Sequence, residues 1–416
     1  MNASGELGRR IGLGSLYVLL FLLPFSKSAI ELMFGGLLLG WALERWDPRT
    51  RRGTIWLRAP SRPLLLALAA FLGVCILSIA VSRHMRQSLE GLIGKWLEYL
   101  LFFVFVADLG AQEGVGQRCA AVLSAGSVFV ILEAVWQELF GRGLFRGYRL
   151  MVFDRMTGPY ENPIDLATYL MVVLLLLVGV TSFRRGRGVR GLLWLLAVAV
   201  LLCLGRTLAF GAWLSLGVGL AWLLWREPRV RRQAMVTGAA VLLAAGFFIL
   251  RRGDWSLVSF SDVGTKDRVF MWQTALRMIQ DRPLLGHGIN TFMANYLDYW
   301  VGGERQPRYA HNSYLQTAAE TGLIGLAAFL WLLWLLRRAI ERGLRAGSGA
   351  DDRGLLAGLA AALLAFLIQA GYDTNFYAMR QVAMFWVLAG LAVGLSERVS
   401  TDASGAKSAP MTSVHR

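Results

Sequence analysis

The chain has 416 residues, 56% of them hydrophobic and 17% charged, with a mean hydropathy of +0.51, a balance that excludes an ordinary soluble domain. Its formal net charge is +16, yet the arginines cluster in loops that alternate along the chain, which is the positive-inside pattern of a membrane protein and not a nucleic-acid footprint. Three cysteines, Cys75, Cys119 and Cys203, all within apolar runs, give no disulfide framework and no thiolate metal site.

The expected fold is all-α: a polytopic helical membrane protein of about twelve transmembrane helices with one large periplasmic loop, since each span needs roughly 20 apolar residues and the alternation of an outer-membrane barrel is absent. Arg9 and Arg10 precede the first run, Ile11 to Phe25. No small-x-small cleavage site follows it, so it reads as a span with the N-terminus cytoplasmic and not as a signal peptide. Ala29 to Leu43 returns, the loop with Arg45, Arg49, Arg51, Arg52, Arg58 and Arg62 marks the inside, and Pro63 to Val81 leads outward. Leu92 to Leu109, Ala120 to Phe140 and Pro163 to Ser182 follow. Within the fourth span, Lys95 and Glu98 lie three apart on one helix face, where they can neutralise each other.

The run from Leu192 to Trp225 is too long for one span at 1.5 Å per residue. Two short spans turning at Gly205-Arg206 resolve this and put Arg206 at the outer surface. Ala234 to Leu250 opens a large loop, 251–311, and Asn312 to Leu336 returns. Leu355 to Gly371 and Val382 to Leu395 complete the membrane domain, 1–396, and 397–416 reads as a disordered cytoplasmic tail.

With that topology, the informative arginines are those outside: Arg142, Arg146, Arg149 and Arg155 in one loop, Arg206 at a turn, and Arg268, Arg277, Arg282, Arg305 and Arg308 in the large loop. Arginine outside the membrane at this density suits phosphate, which it binds through two parallel hydrogen bonds while staying charged; the plain alternative is snorkelling against lipid headgroups. Asp267 to Asp281 reads as an amphipathic helix with Arg268 and Trp272 on one face, followed by a second short piece, Ile289 to Val301, whose aromatics suit the interface. His311 stands where the loop meets the next span. It is a candidate general base, or alternatively part of a helix cap beside Asn312. Asp373 can pair with an arginine, orient the histidine or serve the turn, and Glu320 is expected to face the bundle interior. No Asp-x-Asp or paired-histidine metal spacing stands out.

Arg268 with Trp272, then Pro283-Leu284-Leu285-Gly286-His287-Gly288, His311-Asn312-Ser313-Tyr314-Leu315 and Glu320-Thr321-Gly322-Leu323-Ile324-Gly325, preceded by Arg206 and Gly158-Pro159-Tyr160-Glu161-Asn162-Pro163, resemble the signature of the O-antigen ligase and polymerase superfamily. The resemblance implies an inner-membrane glycosyltransferase that moves a glycan from undecaprenyl pyrophosphate to lipid A core oligosaccharide at the periplasmic face, without a metal or other cofactor. It also implies functional roles for His311, Arg206, Arg268 and Asp373. Arg155, Asn162, Trp272, Asn312 and Tyr314 are further candidate substrate contacts. The same resemblance leaves polymerisation and protein glycosylation as alternatives, and a lipid-linked saccharide transporter is the competing class.

Overall fold

The computed structural model describes residues 3–46, 61–151, 154–184, 186–232, 235–240, 243, 246, 263–303, 305–347 and 349–408. About half of the expected span Ala234 to Leu250 falls outside these residues, as do the first part of the large loop and the basic stretch 47–60. The described residues form helices: α1 (Ala3–Leu22), α2 (Lys27–Trp46), α3 (Arg62–Ala80), α4 (Met85–Gly91), α5 (Glu98–Gly110), α6 (Val115–Phe140), α7 (Pro163–Phe183), α8 (Arg187–Thr207), α9 (Phe210–Arg226), α10 (Val263–Asp281), α11 (Phe292–Asn295), α12 (Ser313–Ala346), α13 (Ala350–Gln369) and α14 (Met379–Ser408). No strand occurs among them, only isolated bridges such as Arg142 to Arg149.

Six of these helices, α3, α6, α7, α8, α12 and α14, are long and apolar enough to cross a membrane, and α9 is a shorter apolar helix. The chain is thus a multi-pass helical membrane protein. The expected division of Leu192 to Trp225 is present, with α8 ending at Thr207, a left-handed Leu208, and α9 starting at Phe210. The tail differs from expectation: residues 397–408 continue α14 as helix. Their polar composition hides the reason, which is that Glu397 and Arg398 are anchored to Arg342 and Asp352 at 3.2 and 2.8 Å.

The two ends of the bundle are held differently. One end is stapled by ion pairs, including Arg353 with Glu227 at 2.9 Å and Arg184 with Asp351 at 3.3 Å. At the other end, side chains bind backbone carbonyls. Arg380, buried under the ring of Tyr160, donates to Pro24 O and Pro159 O, both at 2.8 Å, and Arg146 donates to Phe25 O. These bonds gather the end of α1, the start of α7 and the start of α14. Gly179 of α7 lies against Gly354 and Gly358 of α13 so closely that a Cβ on Gly179 would come within 2.5 Å of the Gly358 Cα, the small-residue packing that lets membrane helices touch backbone to backbone.

α12 is not one straight rod. At Gly322 the backbone has φ 71 and ψ 179, a conformation reached essentially only by glycine. A Cβ there would sit 2.0 Å from Leu284 O. The kink lets the 283–288 segment cross the helix, with Leu323 N bonded to Pro283 O at 2.7 Å and Gly288 N to Glu320 O at 2.8 Å. Gly322→Ala is expected to destabilise the fold by more than about 2 kcal/mol from backbone strain and overlap together, read as a lowered unfolding temperature of the purified protein in detergent.

Candidate functional site

α12 begins where its sequence provides a cap. Asn312, extended at φ −158, accepts from the Tyr314 and Leu315 amides, both at 3.0 Å, and so satisfies two of the orphan donors of the first turn. The cap is therefore Asn312 and not the neighbouring histidine. His311 precedes it with φ +45, a left-handed conformation that costs a non-glycine residue about 1–3 kcal/mol and persists only where the surroundings impose it. The surroundings here are the turn after α13. Ser313 N donates to Ala370 O at 2.8 Å, and Ser313 Oγ to Asp373 O at 2.9 Å.

That stitching brings His311 Nδ1 to 2.9 Å from Asp373 Oδ1. Asp373 also accepts from Thr374 N at 2.8 Å and is only 11% exposed at its side chain, while the imidazole is 35% exposed. An ionised carboxylate is an acceptor only, so in this contact Nδ1 is the donor and, in the neutral form of the ring, Nε2 has its lone pair for a partner outside. Asp373 thus touches the histidine through its carboxylate and Ser313 through its backbone carbonyl.

Glu320 lies two turns further along α12, fully buried as expected. It accepts from Asn290 N at 2.6 Å, Phe292 N at 3.1 Å, Gln316 Nε2 at 3.2 Å and Tyr377 Oη at 2.9 Å. One carboxylate thereby holds the 290–292 turn, α12 and the 370–378 connection together. Burial pushes the Tyr377 hydroxyl well above its usual range, and the facing Glu320 pushes it the same way.

α10 rests on a small core of its own, Met271, Ala275, Met278, Phe292, Tyr296, Ala310 and Ala319, and is anchored to the His311 segment through Arg308, 3.6 Å from Asp267. Arg268 follows that aspartate directly and is half-buried, with no ion pair among the described residues. Trp272, one turn on, has a buried indole nitrogen without a hydrogen-bond partner. Tyr314 is committed elsewhere, its hydroxyl bonded to Leu367 O at 2.7 Å.

Arg206 ends α8 and is paired with Glu138 of α6. The 155–165 segment links it to the rest of the site end: Met156 N binds Arg206 O at 3.1 Å, Arg155 Nε binds Thr207 O at 2.8 Å, and Gln381 binds Asp165 O at 2.8 Å. Asn162 is the N-cap of α7, accepting from Asp165 N at 2.8 Å and donating to its carboxylate at 2.9 Å. Glu133 and Gln137 of α6 organise the loop before it, Glu133 accepting from Leu144 N and Gln137 from Thr157 N and Gly158 N. The geometry thus brings His311 and Asp373 into contact, sets Arg268 on the helix anchored beside them, and puts Arg206 and Arg155 together at a separate turn of the same end. Lys95 and Glu98 do not neutralise each other: a π-helical turn, Leu92–Leu97, changes their relative angle, and Lys95 Nζ donates to Asn290 Oδ1 at 3.0 Å.

The sequence reading missed Arg380 and quoted His287 only as part of a motif, with no role of its own. Arg380 sits in an unremarkable apolar stretch with no charge pattern to signal it. His287 is buried beside α10 with Nε2 3.1 Å from Met278 O, and burial holds its pKa below the ordinary value. Among the described residues no group of three or more His, Cys, Asp or Glu side chains is arranged to hold a metal ion. A folded-state histidine with a depressed pKa stabilises above its unfolded pKa, near 6.5, and that stability is lost as pH falls through the folded value. Thermal scans between pH 7.5 and 5 should therefore show wild-type stability falling on acidification, with a shallower fall in His287→Gln.

Residues 192–330 match the family model described as O-antigen ligase, a span that contains Arg206, Arg268, Trp272, His311, Asn312 and Tyr314 and ends before Asp373. A Rickettsia typhi protein carrying the curated name "Putative polysaccharide ligase" is 26% identical over 209 residues, covering 47% of this chain and 50% of that protein. The chain thus spans about half the length of this curated relative. A chain from the solved structure described as "Structural coordination of polymerization and crosslinking by a peptidoglycan synthase complex" aligns over 82% of this chain and 97% of its own, at 18% identity and a TM-score of 0.44, too slight a likeness to carry fold or function.

Proposed function

We propose, for a chain whose residues 192–330 match the O-antigen ligase family model, that it is an inverting ligase transferring a glycan from undecaprenyl pyrophosphate to lipid A core oligosaccharide at the periplasmic face of the bacterial inner membrane. The observation that carries this reading is the His311 to Asp373 contact of 2.9 Å, which engages Nδ1 and leaves Nε2 of a half-open imidazole outside that contact at the start of the family segment's last helix. In this reading the end bearing His311 faces the periplasm, and the ion-paired end faces the cytoplasm, in accord with the positive-inside rule.

His311 Nε2 takes the proton of an acceptor sugar hydroxyl as its oxygen forms a bond to the anomeric carbon of the donor. The bond from that carbon to the phosphate oxygen breaks, and its electron pair leaves with undecaprenyl pyrophosphate. Attack opposite the leaving group inverts the anomeric centre. Arg268, half-buried and without an ion pair among the described residues, and Arg206, which exchanges Glu138 for phosphate oxygens, hold the pyrophosphate and stabilise the charge that grows on it. Arg155 assists at the same turn. Trp272, Asn312 and Tyr314 flank these groups as candidate contacts for the glycan. The two arginines supply the positive charge, so the transfer needs no metal ion.

The test is transfer in detergent by purified protein given undecaprenyl pyrophosphate glycan and lipid A core in excess chelator. Wild type should form the ligated product. His311→Ala should lose about 10²–10⁴ of the rate, the contribution of a positioned base, and Arg268→Ala about 10²–10³, both with the unfolding temperature unchanged. Near wild-type transfer by His311→Ala would remove the histidine from the mechanism, and growth of the glycan on its lipid carrier would make the protein a polymerase. In a second measurement, Asp373→Asn should slow transfer at every pH, because an amide oxygen is a weaker acceptor for Nδ1–H and its nitrogen can select the wrong tautomer; a rate equal to wild type would assign Asp373 to the turn alone.

A further inference from the structure

Between the end of α3 and the π-helical turn lies a cleft of about 680 Å³ that has no part in the transfer described above. Its walls carry Arg83, His84, Arg86 and Lys95 against one carboxylate, Glu90. Arg86 is engaged locally, 3.0 Å from Glu90 one helical turn on. Neither of the remaining cations, Arg83 and Lys95, lies within ion-pair distance of a carboxylate among the described residues, although Arg83 acts on Asp281 from further away. Lys95 is half-buried and bonded to one neutral acceptor, Asn290 Oδ1, at 3.0 Å. An ammonium has three donors, and a partly desolvated charge with so little compensation favours an anion.

The backbone around these side chains is specifically built. The turn Leu92–Leu97 that carries Lys95 is π-helical, a rare geometry that recurs frequently at functional sites. Asn290 holds φ +61, with its amide N on Glu320 at 2.6 Å and its carbonyl receiving Gln87 Nε2 at 3.2 Å. Gly91 makes room for it: a Cβ there would lie 2.3 Å from the Asn290 Cβ. Snorkelling accounts for a long side chain reaching out to the headgroup layer; it does not account for an ammonium held inside a helix-lined cleft by a strained asparagine.

We propose that this cleft binds a phosphate group, with Lys95 as the point charge and Arg83 as the forked donor. The group is either the headgroup phosphate of a lipid or free phosphate. The assignment stands on the geometry of the cleft and does not depend on the ligase reading.

The full-length protein, purified in dodecyl maltoside micelles that carry no phosphate, is titrated with short-chain phosphatidic acid and, separately, with inorganic phosphate. Wild type should bind at least one of them saturably. Lys95→Met and Arg83→Gln should each weaken that binding by about 10-fold or more, the loss expected for a charge-assisted hydrogen bond, while Lys95→Arg retains it. Arg83 lies in an exposed turn, so its variant keeps the test open if Lys95→Met fails to fold. Saturable binding of inorganic phosphate identifies the free ion as a sufficient ligand; binding of phosphatidic acid alone assigns the lipid-borne group. Unchanged affinity in Lys95→Met and Arg83→Gln, or no saturable binding of either probe, overturns the proposal. The readout involves no transfer reaction, so an inactive ligase assay leaves it unaffected.

Discussion

Everything at the site end depends on how Ser313 is bound. Its amide and hydroxyl reach Ala370 O and Asp373 O, joining segments about sixty residues apart before any functional side chain is considered. The two bonds fix the first residue of α12 against the turn after α13. His311, two residues earlier, is then forced into a left-handed conformation, and its ring lands on the Asp373 carboxylate. A rotameric search by a free histidine would place the same contact only part of the time; the backbone stitch fixes it in advance.

Glu320 performs a related task one level deeper. A buried carboxylate is costly unless its lone pairs are filled, and here four donors from three segments fill them. The buried carboxyl group is thus an organising centre: the 290–292 turn, the first half of α12 and Tyr377 all converge on it. The same turn holds Asn290 against Lys95, so the hub connects the histidine's helix to the cationic cleft through two hydrogen bonds. The Gly322 kink directly after it lets the 283–288 segment pass close enough for these contacts to form.

Much of this was legible in the sequence. The apolar runs, the division near Arg206, the α10 helix and the start at Asn312 follow from periodicity, length and capping chemistry, all of which are local. The His311 to Asp373 contact was only one of several options, because no local pattern fixes which residues meet across about sixty positions. Arg380 was invisible, since a single cation near a helix start reads as a solvated end until Pro24 and Pro159 are seen around it. The π-helical turn shifted Lys95 away from Glu98, and a spacing rule that assumes 3.6 residues per turn cannot anticipate that. Residues 397–408 were misread because composition cannot report ion pairs made to Arg342 and Asp352. Arg206 and Arg268 were singled out by charge on the unexpected side, and the structure places them on different anchors, which charge counting could not resolve.

The contact between α7 and α13 has a mechanical side. At Gly179, Gly354 and Gly358 the two backbones touch, so neither helix can roll about its own axis without driving main-chain atoms into the other. They form a single thick beam, stiffer in bending than either helix alone. Asn162 caps one of its members and the Asp373 turn extends from the other, so both are mounted on the same girder. A thickness change or lateral tension in the surrounding bilayer would tilt the girder as a whole, carrying the aspartate and the α7 start together with no change in their separation.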